Sequence, residues 1–371
     1  MIKRSLCLLS FLAFTKYAYA DVGQILTDSF FQNPADLGDV SQQNMILGNV
    51  FVAPVLEFNG TALGGTGQAR TSTFDSLPYL LADTRLSDKF VLGFNITPCQ
   101  YGDLQWPESS VVAYDSTTTK VYYYRLGFQT SYQITNRFTM GLGGGLEYNY
   151  LQELDAVIGN LGNEVNKVSG LNRYMDAGFT YKITPKHSLI GAFFSPVNTF
   201  GHGTSRLNGA VSKNFKMNIV DAAVLYTGFE HNFSEQWFLE EKAYWSNWRA
   251  QTNTQLFNTT RGNYVYITDW SDTWSFQVSG QYTSSDRFAW LATMMYETNA
   301  APLRTNAIGY PLAPSLFLSG GVDVAVNKNL HIQLLYGYSI FTPFAQIDNG
   351  YSLGSISADT QSGVVQFTYK T

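Results

Sequence analysis

Apolar and polar positions alternate along most of the chain beyond residue 44. In 122–134, Tyr122, Tyr124, Leu126, Phe128, Tyr132 and Ile134 fall on one face, against Tyr123, Arg125, Gly127, Gln129, Ser131 and Gln133 on the other. After Thr135-Asn136-Arg137 the pattern resumes, with Phe138, Met140, Leu142, Leu146, Tyr148 and Tyr150 opposite Thr139, Gly141, Gly143, Gly145, Glu147 and Asn149. A period of two belongs to a strand, whose successive side chains point to opposite faces, so these stretches predict a hairpin with one apolar and one polar side. Each arm is longer than the usual strand of about five or six residues. The length suits a tilted bilayer crossing, which takes about 9–11 residues.

Short and long connections then alternate. Short polar turns are predicted at 87–89, 135–137, 184–187, 232–235, 284–287 and 327–329. Between them lie longer segments near 60–76, 99–119, 151–170, 200–215, 250–268, 299–313 and 343–361, rich in Gly, Asn, Ser or Pro. With a first strand at about 45–58 and a last at about 362–370, the expected strand count is fourteen. Short periplasmic turns and long external loops mark an outer-membrane barrel of a Gram-negative bacterium. Closure lets strands satisfy every backbone group inside lipid, and an even count puts both ends of the barrel chain on the periplasmic side. The expected fold is therefore all-β: a fourteen-stranded antiparallel transmembrane β-barrel with a short N-terminal plug. A soluble sandwich or propeller is the alternative, and strand length and scarcity of charge weigh against it.

Composition sharpens this picture. The 371 residues include 26 Phe, 24 Tyr and 7 Trp, while only 14% are charged and the formal charge is −5. An average soluble domain carries roughly 25% charged residues. The chain lacks the basic footprint of a nucleic-acid binder, and it is too apolar for disorder. Residues 1–20 predict a signal peptide. Lys3 and Arg4 precede an apolar core from Leu6 to Phe14, and Ala18-Tyr19-Ala20 forms a small-x-small site for cleavage after Ala20. Loss of Lys3, Arg4 and Lys16 would take the charge from −5 to −8. Cys99 would then be the remaining cysteine, which excludes an intramolecular disulfide and reads as an inert thiol.

Residues 21–44 do not alternate. A fourteen-stranded barrel is too wide for its own side chains to fill, so this segment is expected to plug it; a loose periplasmic tail is the alternative. The barrel proper is expected over 45–371. Some strands are apolar on both faces. In 288–296, Phe288, Trp290, Ala292, Met294 and Tyr296 oppose Leu291, Thr293 and Met295, and Leu316-Phe317-Leu318 repeats the pattern. One face must meet lipid, so the other lines a hydrophobic pocket or packs on the plug. Glu240, Glu241 and Lys242 are consecutive within a strand, and a β-bulge, or a later strand start, is expected to keep all three out of lipid. Candidate catalytic chemistry is weak. The Gly-rich stretches at 64–67 and 141–145 lack the Lys of a phosphate loop, Gly201-His202-Gly203-Thr204-Ser205 is no nucleophile elbow, and the four His have no metal-ligand spacing. No enzyme activity, cofactor or metal is expected.

Several stretches resemble a known family in order and spacing: Asn33-Pro34-Ala35, Phe51-Val52-Ala53-Pro54 leading to Glu57-Phe58-Asn59-Gly60, Gln100-Tyr101-Gly102, Tyr244-Trp245-Ser246-Asn247-Trp248, Asp272-Thr273-Trp274 and Asn327-Lys328-Asn329-Leu330. From about residue 30 onward the chain resembles the outer-membrane long-chain fatty acid transporters and their aromatic-hydrocarbon relatives, the FadL/TodX type. The resemblance implies a monomeric barrel, inserted by the barrel assembly machinery, that passes fatty acids or hydrocarbons through an apolar pocket and releases them sideways into outer-membrane lipid. It implies a hatch at Asn33, Pro34 and Ala35 and a third-strand kink at Tyr101 and Gly102. Leu291, Met295 and Phe317 are the expected substrate-facing residues. The chain also departs from the family. Where the fatty acid transporters place basic residues after the fifth strand, it has Gln152, Glu153 and Asp155, which would repel a carboxylate. Arg304 is the nearest candidate replacement. A polar diffusion porin and a surface adhesin or structural barrel are the competing functions.

Overall fold

The structure, a computed structural model, describes residues 33–39 and 42–371. The expected signal peptide and the first part of the expected plug lie outside these residues. Fourteen staves follow in chain order: β1 (Gln43–Ala62), β2 (Asp75–Ser87), β3 (Phe90–Gln105), β4 (Thr118–Thr135), β5 (Phe138–Val157), β6 (Asn163–Thr184), β7 (His187–Phe194), β8 (Val224–Asn232), β9 (Trp237–Ser246), β10 (Thr273–Ser285), β11 (Phe288–Glu297), β12 (Ser315–Ala325), β13 (Leu330–Phe341) and β14 (Leu353–Lys370). Each pairs antiparallel with its neighbour, and β14 closes the barrel on β1 from Lys370 opposite Asn44 to Leu353 opposite Thr61. Closure removes the two open edges that would leave backbone groups unsatisfied in lipid.

The six expected short turns are all present. The external side differs from expectation, because period two continues past the membrane. β5 and β6 remain paired out to Val157 opposite Asn163, so the stretch read as a loop at 151–170 is largely a projecting hairpin. The stretch read as a loop at 200–215 is likewise mostly a hairpin, Val197–Leu207 with Ala210–Asp221. Two more external strands, Asn253–Thr259 and Gly262–Ile267, form a further hairpin. β3 extends to Gln105 and β14 starts at Leu353, well beyond the sequence limits. Paired strands need no lipid to satisfy their backbone, so hydrogen bonding alone extends them outward.

The alternation sorts the two faces. Leu126, Phe128, Met140, Leu142, Trp290 and Met294 are exposed on the outer wall, where lipid would cover them. Gln129, Ser131, Glu147, Leu291 and Met295 are buried on the inner wall. Glu240, Glu241 and Lys242 obey the same rule, which corrects the expected bulge. β9 pairs with both neighbours in unbroken register through all three residues. Glu240 and Lys242 point inward as an ion pair at 2.5 Å, while Glu241 faces outward opposite Phe229 and Val278. Its strand begins only at Trp237, which keeps Glu241 toward the periplasmic interface, where an outward charge costs least.

Candidate functional site: the lumen and a gap in its wall

The lumen has two unlike sides. One is apolar: Val50 and Val52 of β1, Leu77 and Tyr79 of β2, Phe194, Tyr226, Met295, Phe317 and Val364 form a continuous buried cluster. The other is polar, built on β4–β6 by Arg125, Gln129, Glu147, Asn149 and Asp176. Arg125 and Glu147 stand directly opposite in the β4–β5 register and form an ion pair at 2.9 Å.

At the inner mouth, a 3-10 helix over Pro34–Asp39 lies on this polar side. Asn33 is fully buried and donates through Nδ2 to the Phe179 carbonyl at 3.1 Å and to Asp36 Oδ1 at 2.8 Å, while its Oδ1 accepts the Ala35 amide at 3.0 Å. Ser131 donates to the Ala35 carbonyl at 3.2 Å. The seat depends on glycine. A Cβ on Gly141 would lie 2.2 Å from the Pro34 carbonyl carbon, and one on Gly178 would lie 1.9 Å from Asn33 Oδ1. Asn33, Pro34 and Ala35 are thus brought together against the barrel wall.

A kink is expected near Tyr101 and Gly102, and the break in the β3–β4 pairing falls two residues before Tyr101. Those residues sit in regular register opposite Tyr122 and Val121, and the irregularity is a bulge at Cys99, between Pro98 and Gln100. Pro98 has no amide proton to give the ladder, which places the break beside it. One extra residue inverts the alternation beyond it. Asn95 and Thr97 face the lumen, but Tyr101, two pairs past the bulge, stands opposite Tyr122 on the face that carries Leu126 and Phe128 lower down. Both tyrosines are nevertheless buried, at 2% and 7% exposure.

A gap in the wall explains that burial. The β2–β3 ladder ends at Leu80 opposite Ile96. Above it, Asp75–Tyr79 pair with β1 alone and Thr97–Gln105 with β4 alone, through all but the bulged Cys99. Five residues of strand amount to about 16 Å of wall without backbone pairing. The gap is filled by side chains. Tyr101 donates to Asp75 Oδ2 at 2.7 Å, and Tyr122 donates to Asp75 Oδ1 at 2.9 Å and to Asp103 Oδ2 at 3.1 Å. Lys120 lies 3.4 Å from Asp103. The rings of Tyr101 and Tyr122 meet edge to face at 5.4 Å and join the apolar cluster of the lumen. Sequence reading missed Asp75 and Tyr122. An acid opening an otherwise apolar strand, with Pro78 and Pro98 on neighbouring strands, was the available signal.

The remaining candidates divide. Met295 and Phe317 are paired across β11 and β12 and belong to the lumen cluster. Leu291 lies on the same inner face opposite Gly321, outside that cluster. Arg304 sits in the external β11–β12 connection, exposed and ion-paired to Asp269, and is not brought to the lumen. Gln152, Glu153 and Asp155 on β5 are committed to Tyr123 of β4, to Lys167 of β6 and to the Asn166 amide of β6 respectively.

A closed fourteen-stave barrel with a partly apolar interior and an interrupted side wall defines an outer-membrane channel. The chain belongs to the outer membrane protein transport family (OMPP1/FadL/TodX), whose profile matches residues 160–370. No curated protein sequence matches it. Among solved structures it is similar to a Pseudomonas aeruginosa FadL homologue, with a TM-score of 0.78 at 16% identity over 92% of this chain and 93% of that one. It is also similar to the P. putida toluene transporter TodX, with a TM-score of 0.71 at 15% identity over 92% and 94% of the two chains. The monoaromatic hydrocarbon channel CymD superposes with a TM-score of 0.67 at 14% identity over 94% of each chain.

Proposed function

We propose that the chain is a passive channel for hydrophobic compounds, long-chain fatty acids or hydrocarbons, that releases them sideways into the outer membrane. The observation that carries this reading is the unpaired stretch between β2 and β3, continuous through Tyr101 and Tyr122 with the apolar cluster of the lumen. A hydrocarbon leaving there enters lipid without crossing water, so its apolar surface stays out of solvent throughout. Val50, Leu77, Met295 and Phe317 supply the apolar surface. The toluene and monoaromatic hydrocarbon named for two similar structures are consistent with such a cargo.

Asn33, Pro34 and Ala35 act as a hatch, seated by two glycines, and its release would connect the inner mouth with the lumen. The mature protein begins after Ala20, works as a monomer in the outer membrane of a Gram-negative bacterium and is inserted by the barrel assembly machinery. Deleting the gene tests this reading. A deletion strain is expected to lose uptake of a labelled fatty acid or hydrocarbon and to regain it on complementation; unchanged uptake across a panel of such compounds would contradict it. A polar porin would instead conduct ions steadily in planar bilayers, where the plugged barrel is expected to conduct almost none.

A further inference from the structure

Beside β6 the wall continues beyond the membrane as four paired strands, Val197–Leu207, Ala210–Asp221, Asn253–Thr259 and Gly262–Ile267. The lumen side of this sheet is apolar: Phe215, Met217 and Leu256 pack with Val168 of β6 in a buried cluster. Alternation then turns the residues between them away from the lumen. Arg206 lies between buried Ser205 and Leu207, and Lys216 between buried Phe215 and Met217, and both cations are exposed. His202 stands opposite Lys216 on one side and Ser169 of β6 on the other, while Arg206 stands opposite Val165. Four residues below Ser169, about 13 Å of strand, Arg173 is exposed between Leu171 and Met175 on the lipid-facing side.

This face is basic in an acidic chain. The formal charge of the protein is −5, yet the four external strands hold Asp221 as their lone acid, and Asp221 stands opposite buried Val197 on the lumen side. On the adjoining hairpin, Glu153 is taken by Lys167 at 2.8 Å, and burial pushes the Asp155 carboxyl up to about 8. Among the described residues, Arg173, Arg206 and Lys216 have no side-chain hydrogen bond or ion pair. Directly below the cations lie the exposed apolar side chains of Phe200, Leu171 and Met175. Cations set above a lipid-facing apolar band match an amphiphile with phosphates at its head and several acyl chains. A guanidinium holds phosphate bidentately and an ammonium holds it as a point charge. The long stem of Arg173 can lie along Leu171 while its head reaches out of the lipid.

We propose that this face docks a phosphorylated glycolipid of the outer leaflet, with Arg206, Lys216 and Arg173 on its phosphates and Phe200, Leu171 and Met175 against its acyl chains. The site is separate from the cargo route, because the buried layer of Phe215 and Met217 stands between it and the lumen. The test titrates the full mature protein in detergent micelles with fluorescent lipid A bearing two phosphates, and with the same lipid A after both are removed. The phosphorylated form is expected to bind more tightly by about tenfold or more. Arg206→Gln combined with Lys216→Gln should weaken its binding by about tenfold or more, and Arg173→Gln alone by about threefold. Arg287→Gln combined with Lys328→Gln removes the same charge at the periplasmic turns and should leave binding unchanged. All these side chains are exposed, and heat-modifiable migration on a gel verifies that each variant folds. Equal binding of the two lipid A forms would overturn the proposal, as would full affinity in the folded Arg206 and Lys216 variant or an equal loss in the periplasmic control. Oleate, titrated in parallel, identifies the occupant. Its affinity is expected to be the same in wild type and in the Arg206 and Lys216 variant, whereas loss of oleate binding with lipid A binding retained would assign the face to cargo and contradict the proposal.

Discussion

Tyr101 of β3 donates its hydroxyl to Asp75 of β2 at 2.7 Å, across a stretch of wall where the two strands share no ladder. Tyr122 holds the second oxygen of the same carboxylate. The closed state of the gap therefore rests on side chains. Hydrogen bonds to a charged group contribute about 1.5–3 kcal/mol each. Asp75→Ala removes both and leaves two buried hydroxyls without that acceptor. Uptake of a labelled hydrocarbon into vesicles is expected to rise several-fold, with a lower unfolding temperature. Adding Tyr101→Phe should change little further, because the two residues act through one contact.

The bulge at Cys99 supplies the inversion that brings Tyr101 into the gap. Deleting Cys99 together with Gln100 should give plain alternation that sets Tyr101 opposite Tyr123, facing the lumen with Asn95 and Thr97. The variant is expected to insert as a heat-modifiable barrel yet to lose uptake by about tenfold or more. Substituting Cys99→Ser keeps the extra residue and should preserve uptake, which separates backbone geometry from thiol chemistry.

Asn33 anchors the segment at the inner mouth through partners on β6 and within its own helix. Asn33→Ala leaves buried groups of that seat without their partner, at a cost of about 1–3 kcal/mol. Single-channel recording is expected to show frequent ion-conducting events in this variant and rare ones in the wild type. Gly178→Val, which places side-chain atoms where Asn33 Oδ1 sits, should reproduce the effect from the opposite side of the contact.

Glu240 and Lys242 form a buried pair on the inner wall, 6% and 3% exposed. Removing one partner of a buried pair costs about 3–5 kcal/mol, whereas removing both is far milder. Lys242→Met should lower the unfolding temperature markedly, and Glu240→Gln with Lys242→Met should recover most of the loss.

Much of the barrel is legible in the residues. The alternation through 122–134 and 138–150 marks one hairpin, and recurring turn chemistry gives the stave count, because lipid enforces period two on every crossing. Strand ends were not legible, since external hairpins such as 151–157 with 163–170 keep the same period without lipid. The site was half legible. Met295 and Phe317 show as apolar residues on a face that lipid cannot also cover. Arg125 and Glu147 needed the register, which sets them directly opposite. The gap escaped notice because a single extra residue at Cys99 reverses every facing after it, and counting alternation cannot detect a bulge whose partner strand is unknown. Asp75 reads as a loop acid until the tyrosines from two other strands are placed around it.

The side exit is tested most directly by photolabelling. A long-chain probe carrying a diazirine on its tail, added outside cells that express the protein and irradiated during uptake, can be mapped by mass spectrometry. The account predicts label on residues flanking the gap, Leu77, Tyr79, Tyr101 and Tyr122, together with Met295 and Phe317 in the lumen. Label confined to the inner mouth around Ala35 and the periplasmic turns, with none at the gap, would contradict it.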